Sequence, residues 1–318
     1  METEKSLLSM NDELNKMFGP EEAGETAVSI GAFDGLHRGH KHILNNMTAY
    51  AHQNGLTPAA VLFDPLPGQF FGRIGPDDRL LLRTEQEDIL RQMGIGRVVF
   101  LPFSEKVAGL SPEEFLSGLQ QTLHCRRMFM GADFSLGKNR SGNAQVVAEL
   151  GKLYGYTTEI IEKDVMDGDV ISSTRIRSLL HDGKVAEANR LAGYPFFFSG
   201  RIIHGAARGR KLGFPTLNVT IPEGKLKLPY GVYAVNNYID GVKYRSVTNI
   251  GVRPTFGMDE MGVVVESFLL DVSGDFYGEN SRLEFVEMLR EEVRFHSADE
   301  LTAQISRDVI RAKEILGQ

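Results

Sequence analysis

The sequence predicts two domains of different fold class: an α/β domain with a parallel sheet, followed by an antiparallel β-barrel with a C-terminal helix. Strands alternate with helices over the first half, as in a parallel sheet with right-handed crossovers. Beyond Val185–Phe198 this alternation gives way to short strands separated by turns, which is typical of a closed barrel. The chain ends in an amphipathic run over residues 298–316. We therefore expect domains over residues 1–185 and 186–318.

The composition is that of a globular protein and excludes several classes. A chain of 318 residues suits two domains, and its 42% apolar and 24% charged residues are ordinary for a folded chain. The net charge of −7 argues against broad binding to nucleic acid. The single Cys125 excludes an internal disulfide framework, and no apolar run reaches membrane-spanning length. We expect a cytoplasmic protein with neither a nucleic-acid nor a membrane partner.

The first half is predicted element by element. Residues 1–25 are polar and acidic, as in a helix or a loose arm. Ser111 followed by Pro112 is typical of a helix N-cap and first turn. Strands are predicted at Thr26–Ile30, Pro58–Phe63, Arg97–Leu101, Arg127–Met130 and Thr157–Glu162. Helices are predicted after Gly39, over Arg79–Met93, from Pro112 and over Asn143–Leu153.

The stretch from Ser29 to Ala51 joins the first strand to the first helix. Gly31, Gly35 and Gly39 allow a tight turn and a close approach to a ligand, and His37 and His40 follow at the start of the helix. A helix N-terminus and two imidazoles suit a phosphate that gains charge as a phosphoanhydride breaks. The pattern His-x-Gly-His after a first strand is typical of nucleotidyltransferases. An ordinary turn and a zinc site are the alternatives, and the zinc site lacks a third ligand with suitable spacing.

Other polar residues follow neighbouring predicted strands. Asp64 opens a rigid Asp-Pro-Leu-Pro loop, and Asp133 lies in the glycine-bounded loop 131–137. Ligands of parallel sheets bind beyond the carboxyl ends of the strands, so Asp64 and Asp133 are expected near the two histidines. A further helix opens at 171–177 with serines, a threonine and two arginines; Arg175 could clamp a phosphate, although a plain N-cap with solvated arginines explains the same pattern.

Six strands and a final helix are predicted in the second half. Asp240-Gly241 is a strong two-residue hairpin turn. The strands are Phe196–Ile203, Thr216–Val219, Gly231–Ile239, Lys243–Ile250, Val263–Leu270 and Arg282–Arg290. The helix should bury one face that contains Leu301, Ile305, Val309, Ile310 and Ile315.

The barrel half carries a second group of polar residues. A glycine-rich basic loop with Arg208, Arg210 and Lys211 suits a polyphosphate, although it lacks the sequence of a P-loop. Thr216 and Asn218 are two apart on an extended segment, so both side chains face one way and offer oxygen ligands of the kind that magnesium accepts. Glu266 is the one carboxylate of an apolar strand. It is either a solvent-facing residue or, if it faces inward, a general base whose pKa is raised by desolvation.

These motifs together resemble the bifunctional bacterial riboflavin kinase/FAD synthetase family. The segments that carry the resemblance are Gly31–His40, Gly131–Gly137, Ile171–Arg177, Gly209–Asn218, Tyr230–Tyr233, Asn249–Gly257 and Leu283–Phe295. The resemblance implies a Rossmann-like adenylyltransferase domain and a six-stranded riboflavin kinase barrel. It also implies two reactions, in which ATP first phosphorylates riboflavin to FMN and a second ATP then adenylylates FMN to FAD.

The resemblance also implies roles for individual residues. It makes Glu266, His37, His40 and Arg175 the catalytic residues. Nucleotide would be bound by Gly31, Phe33, Gly39, Ser173, Thr174, Gly205, Arg210, Lys211 and Gly213. Flavin would contact Asp64, Pro65, Pro67, Asp133, Phe134 and Arg290, and Thr216 with Asn218 would hold Mg²⁺.

Three positions depart from the family pattern. Leu66 stands where the family usually has a histidine, Leu217 where it has an alanine, and Phe268 where it has a histidine two residues after the glutamate. The alternatives to a bifunctional enzyme are an enzyme with only one of the two activities, a non-catalytic flavin-sensing regulator and a cytidylyltransferase-like enzyme. The sequence does not indicate an oligomeric state.

Overall fold

In a computed structural model of the chain, residues 24–162, 165–166, 169–205, 213–253, 262–272 and 274–317 are described. They form two compact units. The first contains the described residues up to Pro76 together with Leu81–Ser172, and the second contains Asp77–Leu80 together with the chain from Ser173 onward. The expected boundary after residue 185 concerns catalytic domains and stays a prediction. The arm expected before Thr26 lies almost wholly outside the described residues.

The first unit contains a five-stranded sheet, and all five predicted strands are confirmed to within two residues. Their bounds are β1 Thr26–Ile30, β2 Thr57–Asp64, β3 Arg97–Pro102, β4 Cys125–Gly131 and β7 Thr157–Ile161. The strand order is β3-β2-β1-β4-β7, and every neighbouring pair is parallel. Two short antiparallel ribbons were not predicted: β5 Ser135–Leu136 with β6 Gly142–Asn143, and β8 Val165–Met166 with β9 Asp169–Val170.

The helices of this unit cover the sheet, which is buried on both faces as parallel sheets usually are. They are α1 Arg38–Gln53, α2 Pro67–Phe70, α3 Arg83–Gln92, α4 Glu105–Gly109, α5 Pro112–Leu123 and α6 Ala144–Tyr154. The predicted cap at Ser111 is confirmed, because its Oγ accepts the Glu114 N–H at 3.2 Å and Glu114 Oε2 accepts the Ser111 N–H at 2.7 Å. One core cluster joins Val28 and Val61 of the sheet to Leu116 and Leu119 of α5.

The helix predicted from Arg79 begins only at Arg83. The residues before it take part in a different structure. Arg79 forms a parallel β-bridge with Lys225, its N–H donates to the Gly224 carbonyl at 3.2 Å, and its own carbonyl accepts the Leu226 N–H at 2.9 Å. Because the Arg79 backbone forms these hydrogen bonds in an extended conformation, it cannot be part of a helix.

The second unit contains a closed six-stranded barrel, and the six predicted strands are confirmed. Their bounds are β10 Phe196–Ile203, β11 Leu217–Val219, β12 Gly231–Ile239, β13 Val242–Arg253, β14 Gly262–Leu269 and β15 Asn280–Glu291. The order around the barrel is β10-β11-β14-β13-β12-β15, with antiparallel pairs throughout. The hairpin at Asp240-Gly241 is also confirmed, since both residues have positive φ (45° and 81°) and Ile239 pairs with Val242.

Two helices, α7 Ser173–His181 and α8 Val185–Ala192, precede the barrel. The second of these helices was not predicted. Val185, Ala188 and Leu191 recur at helical spacing and are all buried, and Gly193 ends the helix with φ 75°.

The last helix, α9 Ala298–Leu316, packs on the outer face of the barrel. Ala312 joins a cluster with Val232, Ala234 and Val247 of the barrel strands. The predicted apolar face was wrong in one residue, because the Ile310 side chain is 60% exposed. In the described part of the chain, no helix combines the length and the apolar character needed to cross a membrane.

Candidate active sites

The turn between β1 and α1 is a strained loop that a neighbouring helix supports. Phe33 and Leu36 have positive φ values of 46° and 36°, which residues with side chains rarely adopt. Gln86 of α3 is buried, and its Nε2 donates to the carbonyl of Phe33 at 3.0 Å and of Ala32 at 3.3 Å. A Cβ at Gly31 would lie 3.1 Å from the Phe33 ring, so a larger residue there would press on this ring. Gln86 therefore ties this loop to α3.

The two predicted histidines lie against each other at the start of α1. His37 is the N-cap, and its Nδ1 accepts the His40 N–H at 3.4 Å. The two rings are stacked, with centroids 3.7 Å apart and planes 18° apart. Because Nδ1 accepts this hydrogen bond, the neutral form of His37 carries its proton on Nε2.

His40 is held in its neutral form. Burial lowers its pKa well below 6.5, and the neighbouring His37 lowers it further. Its Nδ1 is buried and has no hydrogen-bond partner among the described residues. A buried imidazole nitrogen without a protein partner is a place where a ligand can supply one.

The two histidines lie at the switch point of the sheet. The strand order reverses between β1 and β4, and ligands of open α/β sheets bind in the crevice outside this point. The loop after β4 supplies Asp133, which is exposed and whose Oδ1 would lie 3.3 Å from a Cβ at Gly131. The same Cβ would lie 3.4 Å from Ile43 of α1. The structure therefore places Asp133 beside α1, at the edge where the histidines lie.

The Asp64–Pro67 loop follows the next strand at this edge. Asp64 pairs with Arg83 at 3.5 Å, and the Asp64-Pro65 peptide bond is cis. Leu66 is 1% exposed and belongs to the core. A side chain buried in this way supports the loop through packing and offers no polar group to a ligand.

Sequence reasoning missed an aromatic cluster next to this loop. Phe63, Phe70, Phe71 and Phe103 contact one another edge to face, with centroids 5.2–5.8 Å apart. Phe71 is 53% exposed, which is unusual for so large an apolar side chain. The adjacent phenylalanines shortly after Pro67 were the available signal. Exposed aromatic rings of this kind suit a flat aromatic ligand.

The predicted residues Ser173, Thr174 and Arg175 open α7, which belongs to the second unit. Arg177 of the same motif is buried, and its Nε donates to the Asp78 carbonyl at 2.9 Å. Asp78 also pairs with His181 Nε2 at 3.1 Å. Arg177 therefore secures the helix, while Arg175 is half-buried at its first turn.

A cavity of about 280 Å³ lies between the outer barrel wall and α9. Its polar lining includes Thr216, Asn249, Glu266, Arg290 and Asp308, and its apolar lining includes Phe214, Phe268, Val293, Leu301 and Ile305. Glu266 is half-buried and faces this cavity on the outer side of the barrel wall, not the inside of the barrel. Glu266 pairs in register with Asn218 on one side and with Asn249 on the other. Directly paired residues share a face of the sheet, so the three side chains form one row.

The Asn218 side chain lies so close to the Gly205 backbone that a side chain at position 205 would overlap it. A Cβ at Gly205 would lie 2.0 Å from Asn218 Nδ2 and 2.5 Å from its Cγ. Asn218 itself is 6% exposed. Glycine is therefore needed at this predicted position because the loop backbone approaches the Asn218 amide closely. Arg208, Arg210 and Lys211 lie outside the described residues.

Phe268 contributes to the apolar wall of the cavity. It contacts Phe214 edge to face, with ring centroids 5.3 Å apart, and packs against the cluster under α9. Phe268 therefore gives this part of the cavity a hydrocarbon surface.

Oxygen ligands are available for a metal ion in this second site. Among the described residues, no group of three His, Cys, Asp or Glu side chains could hold one. The Thr216 hydroxyl lines the cavity, and Mg²⁺ accepts oxygen ligands of this kind while it keeps several waters and binds substrate phosphates.

Comparisons with known proteins assign the two halves. A family model described as FAD synthetase matches residues 19–175, and one described as riboflavin kinase matches residues 192–316. Bifunctional riboflavin kinase/FMN adenylyltransferase of Pseudomonas fluorescens is 37% identical over 93% of this chain and 94% of its own. The Escherichia coli K12 relative of the same name is 36% identical over 91% and 92%. The chain belongs to this family.

A solved structure agrees with the fold over nearly the whole chain. It is the crystal structure of a protein from Streptococcus pneumoniae that is named as a macrolide-efflux protein. It has a TM-score of 0.84 and 29% identity, and covers 94% of this chain and 96% of its own. The Listeria monocytogenes family member is 32% identical over 88% and 89%. The family-model boundaries place the sheet in the FAD synthetase part and the barrel with α9 in the riboflavin kinase part.

Proposed function

We propose that this chain converts riboflavin to FMN in its barrel unit and FMN to FAD in its sheet unit, with ATP as the second substrate of both reactions. The family membership supports both activities, because the two family models match separate parts of one chain. The observation that carries the kinase assignment is the position of Glu266, which lines a cavity beside Thr216 and in register with Asn218. We assign the protein to the cytosol, where a single buried thiol stays reduced.

In the barrel unit, Glu266 takes the proton of the riboflavin 5′-hydroxyl. The hydroxyl oxygen attacks the γ-phosphorus of ATP, the bond to the β-phosphate bridging oxygen breaks, and ADP leaves. Thr216 and Asn218 would hold Mg²⁺, and the bound ion would neutralise phosphate charge. Gly205 and Gly213 bring loop backbone close to the nucleotide, and the assigned Arg210 and Lys211 contribute positive charge.

In the sheet unit, no residue acts as a nucleophile. A phosphate oxygen of FMN attacks the α-phosphorus of ATP, the bond to the β-phosphate bridging oxygen breaks, and pyrophosphate leaves. His37 donates from Nε2, and α1 presents its unpaired N–H groups to the charged phosphates. A neutral His40 suits this role, because its pKa keeps it uncharged and ready to act as a hydrogen-bond partner at neutral pH. Gly31, Phe33 and Gly39 shape the loop that approaches the nucleotide.

The flavin side of the sheet unit is assigned to the two loops beside the histidines. Asp64, Pro65 and Pro67 lie in one loop, and Asp133 and Phe134 lie in the other. The exposed Phe70 and Phe71 extend this surface and offer aromatic faces to the flavin ring. Ser173, Thr174 and Arg175 are assigned to ATP handling by the resemblance.

The test is a time course with purified protein, riboflavin, excess ATP and Mg²⁺, with flavins separated by chromatography. FMN that appears first and is then converted to FAD supports the proposal. FMN that accumulates without FAD contradicts the adenylyltransferase assignment and directs attention to Leu66. If only supplied FMN is converted, the kinase assignment fails. Flavin binding without either conversion would make the chain a flavin-binding regulator.

A further inference from the structure

One turn of α3 contacts two different loops of the sheet unit. Arg83, its first residue, lies with Nη1 3.5 Å from Asp64 Oδ2 in the loop after β2. Gln86 donates from Nε2 to the Phe33 and Ala32 carbonyls in the loop after β1, at 3.0 Å and 3.3 Å. Residues three apart in a helix lie on the same face, so a single face of α3 reaches both loops.

Arg83 is held against the sheet as well as against Asp64. Its guanidinium carbon lies 4.5 Å from the centre of the Phe100 ring in β3, within the range of a cation–π contact. β3 is itself paired with β2, where Asp64 lies opposite Pro102 and its carbonyl accepts the Phe103 N–H at 3.1 Å. Asp64 is therefore fixed through its backbone by β3 and through its side chain by the first residue of α3.

The helix that carries these two residues is anchored in the core of its unit. Leu90 is fully buried, and Gln86 is 1% exposed. The Leu82 N–H at the N-cap donates to Glu85 Oε2 at 2.8 Å, which closes the first turn. A capped and closely packed turn of this kind is rigid, so a restraint at Arg83 also acts on Gln86 one turn away.

The proposed function assigns these two loops to different substrates. The nucleotide loop, residues 31–37, approaches ATP, and the flavin loop, residues 64–67, approaches FMN. A ligand that restrains one loop also restrains the face of α3 that holds it. The other loop then has less freedom to lose when its own ligand binds, which strengthens that binding. Coupling of this kind is reciprocal, so each substrate raises the affinity for the other by the same factor.

We propose that Arg83 and Gln86 are positioning residues that make α3 a shared support for the two loops, so that ATP and FMN bind the sheet unit with positive coupling. This inference rests on the proposed function. Neither residue has to touch a substrate. The two contacts act in series, because the link between the loops needs both of them, and the loss of either one breaks it.

The test measures initial rates of FAD formation by the full chain over a grid of FMN and ATP concentrations with Mg²⁺. The KM for FMN extrapolated to zero ATP, divided by the KM for FMN at saturating ATP, is the coupling factor. We expect a factor of about five or more for the wild type. For Arg83→Ala and for Gln86→Ala the factor should lie within about twofold of one, and the double variant should match the single variants, since contacts in series are lost together.

Matched controls are available on the same helix and in the same chain. Glu87→Gln removes an α3 carboxylate that pairs with Arg91 at 3.4 Å on the exposed surface, and it should keep the wild-type coupling factor. The Arg83 and Asp64 side chains are 54% and 28% exposed, so Arg83→Ala should leave the melting temperature close to that of the wild type. Riboflavin phosphorylation by the same preparations should be unchanged. Loss of coupling without loss of stability is what distinguishes a positioning residue from a structural one.

Three results overturn the inference. If the KM for FMN of the wild type does not depend on ATP, the two loops are not coupled. If Arg83→Ala keeps the wild-type coupling factor, no link passes through its contact with Asp64. If the double variant has a lower factor than either single variant, the two contacts act independently. A wild type that forms FMN from riboflavin but no FAD from supplied FMN would instead show that the adenylyltransferase assignment itself is wrong. Should Gln86→Ala not fold, the result for the exposed Arg83→Ala decides between support and refutation.

Discussion

The substitution Gly205→Ala should inactivate the kinase site through Asn218. The added Cβ would lie 2.0 Å from Asn218 Nδ2, 2.5 Å from Cγ and 2.7 Å from Oδ1. Non-bonded heavy atoms need about 3.5 Å, so the amide must move by more than about 1 Å. A displacement of about 1 Å at a reacting site costs roughly 10²-fold in rate. We therefore expect riboflavin phosphorylation to fall about 100-fold, or about 2.7 kcal/mol.

The assay is the initial rate of FMN formation from riboflavin and ATP. The same preparation supplies an internal control, because FAD formation from added FMN should keep its wild-type rate. Gly109→Ala is the matched glycine control, since a Cβ there meets nothing within 4 Å. A second comparison introduces Gly205→Ala into an Asn218→Ala variant. If Gly205→Ala slows phosphorylation by displacing the Asn218 amide, it should slow the Asn218→Ala variant little further.

Two results would refute this reasoning. One is a Gly205→Ala enzyme whose phosphorylation rate lies within about twofold of the wild type, which would show that the loop yields at no cost. The other is a double variant in which the two losses multiply, since independent effects would mean that Gly205 acts by another route.

Three further predictions concern the sheet unit. Gln86→Ala should lower the free energy of unfolding by about 1–3 kcal/mol, because the carbonyls of Ala32 and Phe33 lose a buried donor. It should also raise the KM for ATP. Thermal melting measures the first effect and steady-state kinetics the second. The folded-state pKa of His40 lies below 6.5, so the unfolded chain binds the extra proton and stability falls as pH drops below about 6.5. The melting temperature of His40→Phe should therefore fall less on acidification than that of the wild type, and an equal fall would refute the shift. Burial raises the pKa of Cys125 to about 12, so iodoacetamide should label it only after unfolding, and rapid labelling of the native protein would contradict its burial.

The regular elements of both units could be predicted from periodicity and turn residues. The cap at Ser111 and the Asp240-Gly241 turn depend on local chemistry, and local chemistry is visible in a sequence. The helix at Val185–Ala192 was missed because its eight residues lie where the pattern changes from helices to strands. Its buried face is defined by packing partners, such as β15, that come much later in the chain.

The start of α3 shows a different limit. The composition after Arg79 favours a helix, but the Arg79 backbone pairs with Lys225, nearly 150 positions away in the chain. Pairing at this distance is decided by tertiary structure and overrides local propensity. The wrong prediction that Ile310 is buried has the same cause. The sequence shows which residues of the last helix are apolar, but not which face of that helix the barrel covers.

The residues of the candidate sites also fall into those that local sequence indicates and those that only tertiary structure brings to the site. His37, His40, Thr216 and Glu266 belong to short motifs, so sequence alone could name them. Asn249 and Asp308 reach the cavity through strand register and helix packing, and neither stands out in the chain as printed.

The central claim is that each unit of this chain carries one of two successive reactions. The most direct measurement compares the flavin products of Glu266→Gln and His40→Ala. Glu266→Gln should form FMN from riboflavin about 10²–10⁴-fold more slowly, yet convert supplied FMN to FAD at the wild-type rate. His40→Ala should convert riboflavin to FMN that accumulates, and mixing the two variants should restore FAD. Loss of both reactions in either variant, or FMN formation that survives Glu266→Gln, would contradict the account.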